Sequence, residues 1–293
     1  MTVSELKASN PWRIVADKYD SSNPNCLFLD DADTSYVHPD DLDRINQFNS
    51  HNSDKEYRIV TNTPPEPWRG NPLTARLIIL SLNPGYSPEI NMTLAKLLQS
   101  NPALRKDLMA FRQKTLNLEA KSLLPLPEDE SGKGPITCKE AEDMLGAWYW
   151  TSKLKDLRND FFDGKAPTTE EEDEFYKRIA LIEFHGYSSI RAKDSFPLKG
   201  KNGGQFLKTQ EFVAELIKHV ARNKPNNEVC FLIMRSKSRW KDLLNGIWDE
   251  PFFKGKRIIR EGSRNQAISK NNLGDDFMKI SDVLKGQSKT PQC

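Results

Sequence analysis

The sequence predicts an α/β fold built on a mostly parallel sheet, and the order of its apolar segments supports that fold class. Short apolar runs alternate along the chain with segments whose apolar residues recur at helical spacing. This alternation is typical of parallel strands that are covered by helices on both faces of the sheet. We therefore expect residues 1–293 to form a single α/β domain, a three-layer α/β/α sandwich with a four-stranded, mostly parallel sheet.

Four apolar segments are predicted to form the strands, because a short and wholly apolar run fits a strand that is buried on both faces. They are residues 77–80, 179–189, 228–236 and 256–261. Ligands of such sheets bind at the carboxyl ends of the strands. Three polar loops, LNPGYS, FHGYSS and SRNQAIS, follow predicted strands, so we expect a functional site at that edge.

Two parts of the chain lie outside the predicted sheet. Residues 1–70 are polar and broken by proline, and we expect them to form an N-terminal extension. Residues 91–178 contain several segments with apolar residues at helical spacing, and we expect a helical insertion there. Within it, Thr168 or Thr169 is predicted to cap a helix whose acidic first turn suits the positive helix end.

Composition excludes several classes of protein. Hydrophobic residues make up 37% of the chain, which is enough for a core and excludes wholesale disorder. No apolar run approaches the roughly 20 residues of a membrane-spanning helix, and the N-terminal residues do not resemble a signal peptide. The four cysteines and four histidines are dispersed. We therefore expect a cytoplasmic protein with no metal, no other cofactor and no membrane partner.

Familiar catalytic motifs are absent from the sequence. There is no GxxxxGK(S/T) loop for nucleotide phosphates, no GxGxxG turn for a dinucleotide, no GxSxG elbow and no HExxH zinc motif. The loops at the predicted strand ends are instead rich in Asn, Tyr, Ser and Arg. Such side chains can hold bases and phosphates by hydrogen bonds, and they do not suggest a covalent nucleophile.

Three of these loops carry a resemblance to a known family. The turn SLNPG at residues 81–85 resembles the first motif of the uracil-DNA glycosylase superfamily, which has the form Gly-x-Asn-Pro-Gly in the mismatch-specific branch. The segment LIEFHGYSS is similar to the apolar–Glu–x–x–Pro–Tyr–x–Ser pattern of some uncharacterised members, with Gly186 in the place of the proline. The loop at residues 265–269 is similar to the second motif, Asn-Pro-Ser or His-Pro-Ser, without its proline and histidine.

The resemblance implies a DNA glycosylase, which hydrolyses the N-glycosidic bond of uracil or another altered base. The base leaves the stack and enters a pocket, and Asn83 orients the attacking water through its side-chain amide. The backbone near Gly85 approaches the base, and Tyr86 or Phe184 stacks on it. The residues that the resemblance implies at the base are Leu82, Gly85, Tyr86, Phe184, His185, Tyr187 and Ser188.

DNA, double- or single-stranded, is the partner that the resemblance implies. The loop after the fourth strand would press into the duplex, with Ser263 and Ser269 on phosphates and Arg264 in the gap left by the base. Asn265 would contact the base or the backbone. The candidate DNA-binding residues are Arg235, Arg239, Ser263, Arg264, Asn265 and Ser269.

Charge is divided unevenly along the chain. The net charge is only +2, but residues 1–185 carry 22 basic and 30 acidic side chains, and residues 186–293 carry 21 basic and 11 acidic ones. The two parts therefore have net charges of −8 and +10. The basic part suits a phosphate backbone, and the acidic part or the helical insertion is the expected surface for a protein partner.

Other interpretations stay open from the sequence alone. A protein of the same fold that binds nucleic acid without catalysis, in a repair or defence assembly, fits the same loops. A small-molecule nucleoside or glycosyl hydrolase usually has several acidic residues at its strand ends, and only Glu183 lies at such a position. Asn-Pro-Gly is also a common turn whatever the function, and Arg235 and Arg239 fit surface ion pairs as well as phosphates.

Overall fold

The protein is described here by a computed structural model that covers residues 1–30, 33–124, 147–191, 206–260 and 267–287. It has a mixed α/β fold with a five-stranded, mostly parallel sheet, which confirms the predicted fold class. The strands are β1 (Trp68–Arg69), β2 (Leu77–Leu80), β3 (Ile179–Ile182), β4 (Cys230–Ile233) and β5 (Arg257–Ile259). Their order is β1-β3-β2-β4-β5, with β1 antiparallel to β3 and all other neighbours parallel.

The sheet has one strand more than the predicted four. The additional strand, β1, is two residues long, so it is too short to show the apolar alternation that predicts strands. It pairs at the edge of the sheet, with Trp68 opposite Ile182. The other four strands lie within the predicted segments, and three of them are shorter because the flanking residues belong to loops.

Within the described residues there are twelve α-helices. They are α1 (Val3–Ala8), α2 (Arg13–Ala16), α3 (Pro39–His51), α4 (Pro88–Ser100), α5 (Pro102–Leu116), α6 (Ala147–Phe161), α7 (Thr169–Lys177), α8 (Lys208–Asn223), α9 (Lys237–Leu243), α10 (Pro251–Lys254), α11 (Lys270–Leu273) and α12 (Asp275–Lys285). Thr168 is the cap of α7, because its hydroxyl accepts from the Glu171 N–H while the Glu171 carboxylate accepts from the Thr168 N–H. Of the helices described, none is long and apolar enough to cross a membrane.

The parallel strands are buried on both faces, and their side chains enter two hydrophobic clusters. On β2, Ile78 and Leu80 belong to one cluster and Leu77 and Ile79 to the other, as the period-two geometry of a strand requires. The first, here called the α8 cluster, is covered by α8 and the N-terminal segment. The second, the α6 cluster, is covered by α6, α7 and α12. Helices therefore pack against both faces of the sheet.

The N-terminal 70 residues contribute directly to the core. Trp12, Ile45 and Trp68 have no exposed surface and belong to the α8 cluster. Truncating a buried aromatic side chain costs about 3–5 kcal/mol in other proteins. The predicted extension is therefore part of the folded unit, because the α8 cluster would be exposed without it.

A wholly buried carboxylate, Asp41 in the first turn of α3, ties this N-terminal segment to the sheet. It accepts hydrogen bonds from the Tyr187 hydroxyl at 2.8 Å, the Thr209 hydroxyl at 2.6 Å and the Lys208 backbone N–H at 2.7 Å. These bonds replace the water that a buried carboxylate loses. One side chain thus joins α3, the loop after β3 and the start of α8.

Replacing Asp41 with alanine is expected to lower the free energy of unfolding by about 3 kcal/mol, because three donors lose a buried acceptor. Urea-induced unfolding followed by fluorescence measures this change. Thr209→Val is the matched control, since it keeps the shape of the side chain, removes one donor to Asp41 and should cost only about 1 kcal/mol. Equal losses from the two substitutions would contradict the central role of Asp41.

Candidate functional site

The loops after β2 and β3 lie side by side at the carboxyl edge of the sheet. The two strands pair in parallel register, so the residues that follow them leave the sheet together. The His185 N–H donates to the Leu82 carbonyl at 3.3 Å, and Gly85 forms a parallel bridge with Ser189. The two predicted loops are therefore in direct contact.

Asn83 lies within this contact and is partly buried. Its amide nitrogen donates to the Ser189 hydroxyl and to the Pro84 carbonyl, each at 3.0 Å. A carbonyl oxygen can only accept, so the bond to Pro84 identifies which end of the amide is the nitrogen. Within the described residues Oδ1 has no hydrogen-bonding partner, so this oxygen can accept a hydrogen bond from a water molecule.

The order of the strands marks the same edge as a ligand site. The chain leaves β2 towards β3 on one side and leaves β4 towards β5 on the other, although β2 and β4 are neighbours. Such a reversal opens a crevice beyond the carboxyl ends of the two strands. Asn83 follows β2 and Arg235 follows β4, so both residues come from loops that border this crevice.

A polar pocket of about 80 Å³ adjoins the Asn-Pro-Gly turn. Gly85, Tyr86 and Ser188 from the two loops contribute to its lining. Phe28 adds an aromatic ring beside Tyr86, and the two ring centroids are 6.4 Å apart. Thr63 also lines the pocket, and its buried hydroxyl has no hydrogen-bonding partner in the part of the chain that the structure describes. That hydroxyl is therefore able to bind a ligand.

Three charged side chains, Glu66, Arg69 and Arg112, line another part of the pocket. Glu66 Oε2 lies 2.6 Å from Arg69 Nη2, and Glu66 Oε1 lies 2.8 Å from Arg112 Nη2. Burial alone would raise the pKa of Glu66, but the two guanidinium groups outweigh burial and lower that pKa to about 2. This wall therefore stays ionised at neutral pH, with one positive charge in excess.

A second buried carboxyl group, that of Glu183, lies directly beyond β3. Ser81, directly beyond β2, forms a side-chain hydrogen bond with it. The other oxygen, Oε2, is buried and has no hydrogen-bonding partner among the described residues. Leaving a buried polar group unpaired costs about 1–3 kcal/mol of stability. No contact within the described residues offsets this loss for Oε2.

The environment of Glu183 keeps its carboxyl group mainly protonated at neutral pH. Burial is the largest effect and raises the pKa to about 8, and the negative charge of Glu66 acts in the same direction. The Ser81 hydrogen bond and the positive charges of Arg69 and Arg235 oppose this rise without cancelling it. A group with so displaced a pKa at a sheet's ligand-binding edge is a candidate functional residue.

Two arginines and a tyrosine share this edge on the side of the α6 cluster. Arg260 follows β5 and is 9% exposed, whereas Arg235 follows β4 and is exposed. Burial lowers the pKa of Arg260, and the nearby positive charge of Arg235 lowers it further. Tyr149 on α6 interacts electrostatically with both arginines and with Glu183. Polar side chains from α6 and from the residues after β3, β4 and β5 therefore interact beyond the strand ends.

Several residues predicted to bind the base are almost wholly buried. They are Leu82, Phe184, His185 and Tyr187. Phe184 meets Trp240 edge-on with ring centroids 5.3 Å apart, and Tyr187 packs 5.2 Å from Trp12. Burial lowers the pKa of His185 to about 3, so its imidazole is neutral. Tyr86 is therefore the aromatic residue of the predicted set that lines the polar pocket.

The predicted DNA-binding residues are only partly described by the structure. Ser263, Arg264 and Asn265 lie outside the described residues. Arg235 is exposed, and the Arg239 guanidinium lies 5.9 Å from the centroid of the Phe184 ring. Ser269 is buried at the N-terminus of α11, where its side chain makes no capping hydrogen bond.

No known protein family, curated protein or solved structure matches this chain. In the described ranges, no group of three or more His, Cys, Asp and Glu side chains is arranged to hold a metal ion. Four pocket residues were not predicted from the sequence, because they belong to no motif: Thr63, Glu66, Arg69 and Arg112. The i,i+3 spacing of Glu66 and Arg69 indicates a local ion pair, but it does not indicate a pocket.

Glu183→Gln is expected to flatten the pH dependence of stability. The pKa of this group rises from an ordinary value of 4.5 to about 8 on folding, so the folded protein keeps a proton that the unfolded chain releases. Stability from this group is fully present below pH 4.5 and is lost as the pH rises to about 8, at up to about 1.4 kcal/mol per pH unit.

Urea-induced unfolding at several pH values between about 5 and 8 measures this effect. The variant should gain stability over the wild-type protein as the pH rises, and the gain should shrink at acidic pH. Glu119→Gln, at an exposed position, is the matched control and should leave the pH profile unchanged. Parallel pH profiles for Glu183→Gln and the wild-type protein would contradict the protonated state of Glu183.

Proposed function

We propose that this protein is a DNA glycosylase-like enzyme that hydrolyses the N-glycosidic bond of uracil or another altered base flipped out of DNA. The observation that supports this function best is the position of Asn83. Its amide nitrogen is bound to Ser189 and Pro84, and its amide oxygen has no partner among the described residues, at the sheet edge where ligands bind. We also propose the finer architecture, a three-layer α/β/α sandwich, because helices pack on both faces of the sheet.

In the proposed reaction, Asn83 Oδ1 accepts a hydrogen bond from a water molecule and holds it against the sugar carbon. The sugar gains positive charge as the bond to the base breaks, so positioning and electrostatics supply most of the catalysis. Asn83 is not a strong base, and the water attacks a carbon that is already electron-poor. The bonds to Ser189 and Pro84 support this role, because they hold the amide in one orientation.

The flipped base would enter between the turn after β2 and the loop after β3. Gly85, Tyr86 and Ser188 line the polar pocket there, and the Tyr86 ring would stack on the base. Arg235 and Arg239, in the basic part of the chain, would contact phosphates next to the flipped nucleotide. The net charge of +10 over residues 186–293 supports such contacts, because a basic surface attracts a phosphate backbone.

A second candidate function is binding of nucleic acid without catalysis, in a repair or defence assembly. The weak basicity of Asn83 and the burial of His185 favour it, because the described edge holds no strong base beside the turn. The acidic N-terminal part or helices α4 to α7 would then be the surface for a protein partner. Binding of DNA with no release of any base would establish this second function.

Asn83→Ala is expected to reduce base release by about 100-fold or more, because the water loses the group that orients it. The measurement uses end-labelled oligonucleotides that contain uracil, mismatched thymine or other altered bases. Alkali then cleaves the strand wherever a base has been released. DNA binding by the same variant should change much less, since Asn83 acts on the water.

Ser189→Ala is the matched control for the orientation of Asn83. It removes one of the two acceptors of the amide nitrogen, and the Pro84 carbonyl remains. We expect about tenfold slower base release, between the rates of the wild-type protein and Asn83→Ala. If the folded wild-type protein released no base from any of these substrates, the proposed enzymatic function would be refuted.

A further inference from the structure

Glu183 is a buried titratable group that the proposed reaction does not use. It lies one residue beyond β3, and β3 alternates so that Leu181 and Glu183 face the same side of the sheet, that of the α6 cluster. Ser81 occupies the equivalent position beyond β2, where its backbone N–H still continues the ladder to Ile182. The carboxyl group therefore lies at the ligand-binding edge, opposite Ser81, which precedes Asn83 by two residues.

The two oxygens of this carboxyl group have different surroundings. Ser81 stabilises the ionised carboxyl group through its side chain, whereas Oε2 is buried and has no hydrogen-bonding partner among the described residues. A proton on Oε2 of the neutral acid is therefore a donor with no acceptor in the described part of the chain.

Charged groups from several elements act on Glu183. Glu66 and Arg69, which line the polar pocket, lie on the side of β1, while Arg235 follows β4 and Tyr149 belongs to α6. Arg260 after β5 interacts with Arg235 and Tyr149 in turn. Burial and Glu66 favour the protonated form, and together they exceed the opposing effects of Ser81, Arg69 and Arg235. The group thus changes from a donor to an acceptor slightly above neutral pH.

We propose that Glu183 is a specificity-determining residue, whose neutral carboxyl group donates a hydrogen bond from Oε2 to a carbonyl oxygen of the base. The site would therefore select an oxo base such as uracil over an amino base such as cytosine. The unpaired Oε2 supports this role, because a ligand carbonyl would satisfy it. A cytosine amino group brings a donor to the same position and leaves the acid proton without an acceptor. This inference rests on the proposed function, since the ligand is a base that has left the helix.

Two variants separate this role from a structural one. Glu183→Gln keeps the shape of the side chain and supplies an amide donor that does not titrate. Glu183→Leu keeps an apolar volume of similar size and supplies no donor. If Glu183 only filled space, Leu would replace it without loss of base preference. If its donor recognises the base, Gln alone would preserve the preference.

The experiment measures binding of the full-length protein to single-stranded oligonucleotides by fluorescence anisotropy. One strand carries a single uracil and the other a single cytosine, and both carry a fluorine at C2′ of that nucleotide. The fluorine withdraws electrons and slows bond breaking, so binding is measured without base release. The preference is the ratio of the two dissociation constants, determined from about pH 6 to about pH 9.

The wild-type protein is expected to prefer the uracil strand about tenfold at pH 6 to 7, as for one satisfied buried hydrogen bond. The preference should fall as the pH rises through about 8, where Glu183 ionises. Glu183→Gln should keep the preference at every pH, and Glu183→Leu should lose it at every pH. A pH-independent preference in the wild-type protein, or a preference retained in Glu183→Leu, would overturn this inference and leave the proposed function intact. No preference for uracil in any form would overturn the inference, whereas failure to bind either strand would overturn the proposed function as well.

Discussion

The parallel pairing of β2 with both of its neighbours is the constraint on which the rest of the structure depends. Residues 77–80 lie opposite β3 on one side and β4 on the other, and every side chain of the three strands is buried. A polar side chain there would lose its water without gaining a partner. Polar groups therefore first appear where the strands end, and the common register brings Ser81 and Glu183 to the same level. The contact between Asn83 and Ser189 extends the same pairing into the loops.

The same physics explains which features the sequence could predict. A core strand corresponds to a short run of apolar residues in the sequence, so a run such as residues 77–80 is sufficient to locate it. The β1 strand has no such pattern: it exists because the edge of β3 offers free backbone groups, and the Glu183 N–H donates to the Pro67 carbonyl just before it. The pocket wall depends on Arg112 of α5 meeting Glu66, which lies far away in the sequence. Spacing along the chain contains no information about that contact, because it arises only when α5 packs beside the sheet.

The loop after β3 illustrates how one sequence pattern can serve packing as well as a site. A Cβ atom added to Gly186 would lie 2.8 Å from side-chain atoms of both Pro67 and Trp12, so the N-terminal segment occupies the space that a side chain would need. Tyr187, the next residue, turns towards Asp41 of the same segment. Gly186 and Tyr187 therefore pack the N-terminal segment against the sheet. Ser188 lines the pocket, and the Ser189 hydroxyl accepts a hydrogen bond from Asn83. The pattern was visible in the sequence, but the division of roles within it depends on tertiary packing.

Two buried carboxyl groups at this edge are held in opposite protonation states, and the difference bears on function. Environments that push the pKa values of two acids apart are typical of functional sites, although structural ion pairs also perturb pKa values. Glu66 fits a structural ion pair, because each of its oxygens contacts an arginine. Glu183 does not, because Oε2 lacks a partner in the described residues, and an unpaired buried polar group costs about 1–3 kcal/mol. Packing alone therefore favours another residue at position 183, and a ligand that accepts a hydrogen bond there supplies the physical reason for a carboxylic acid.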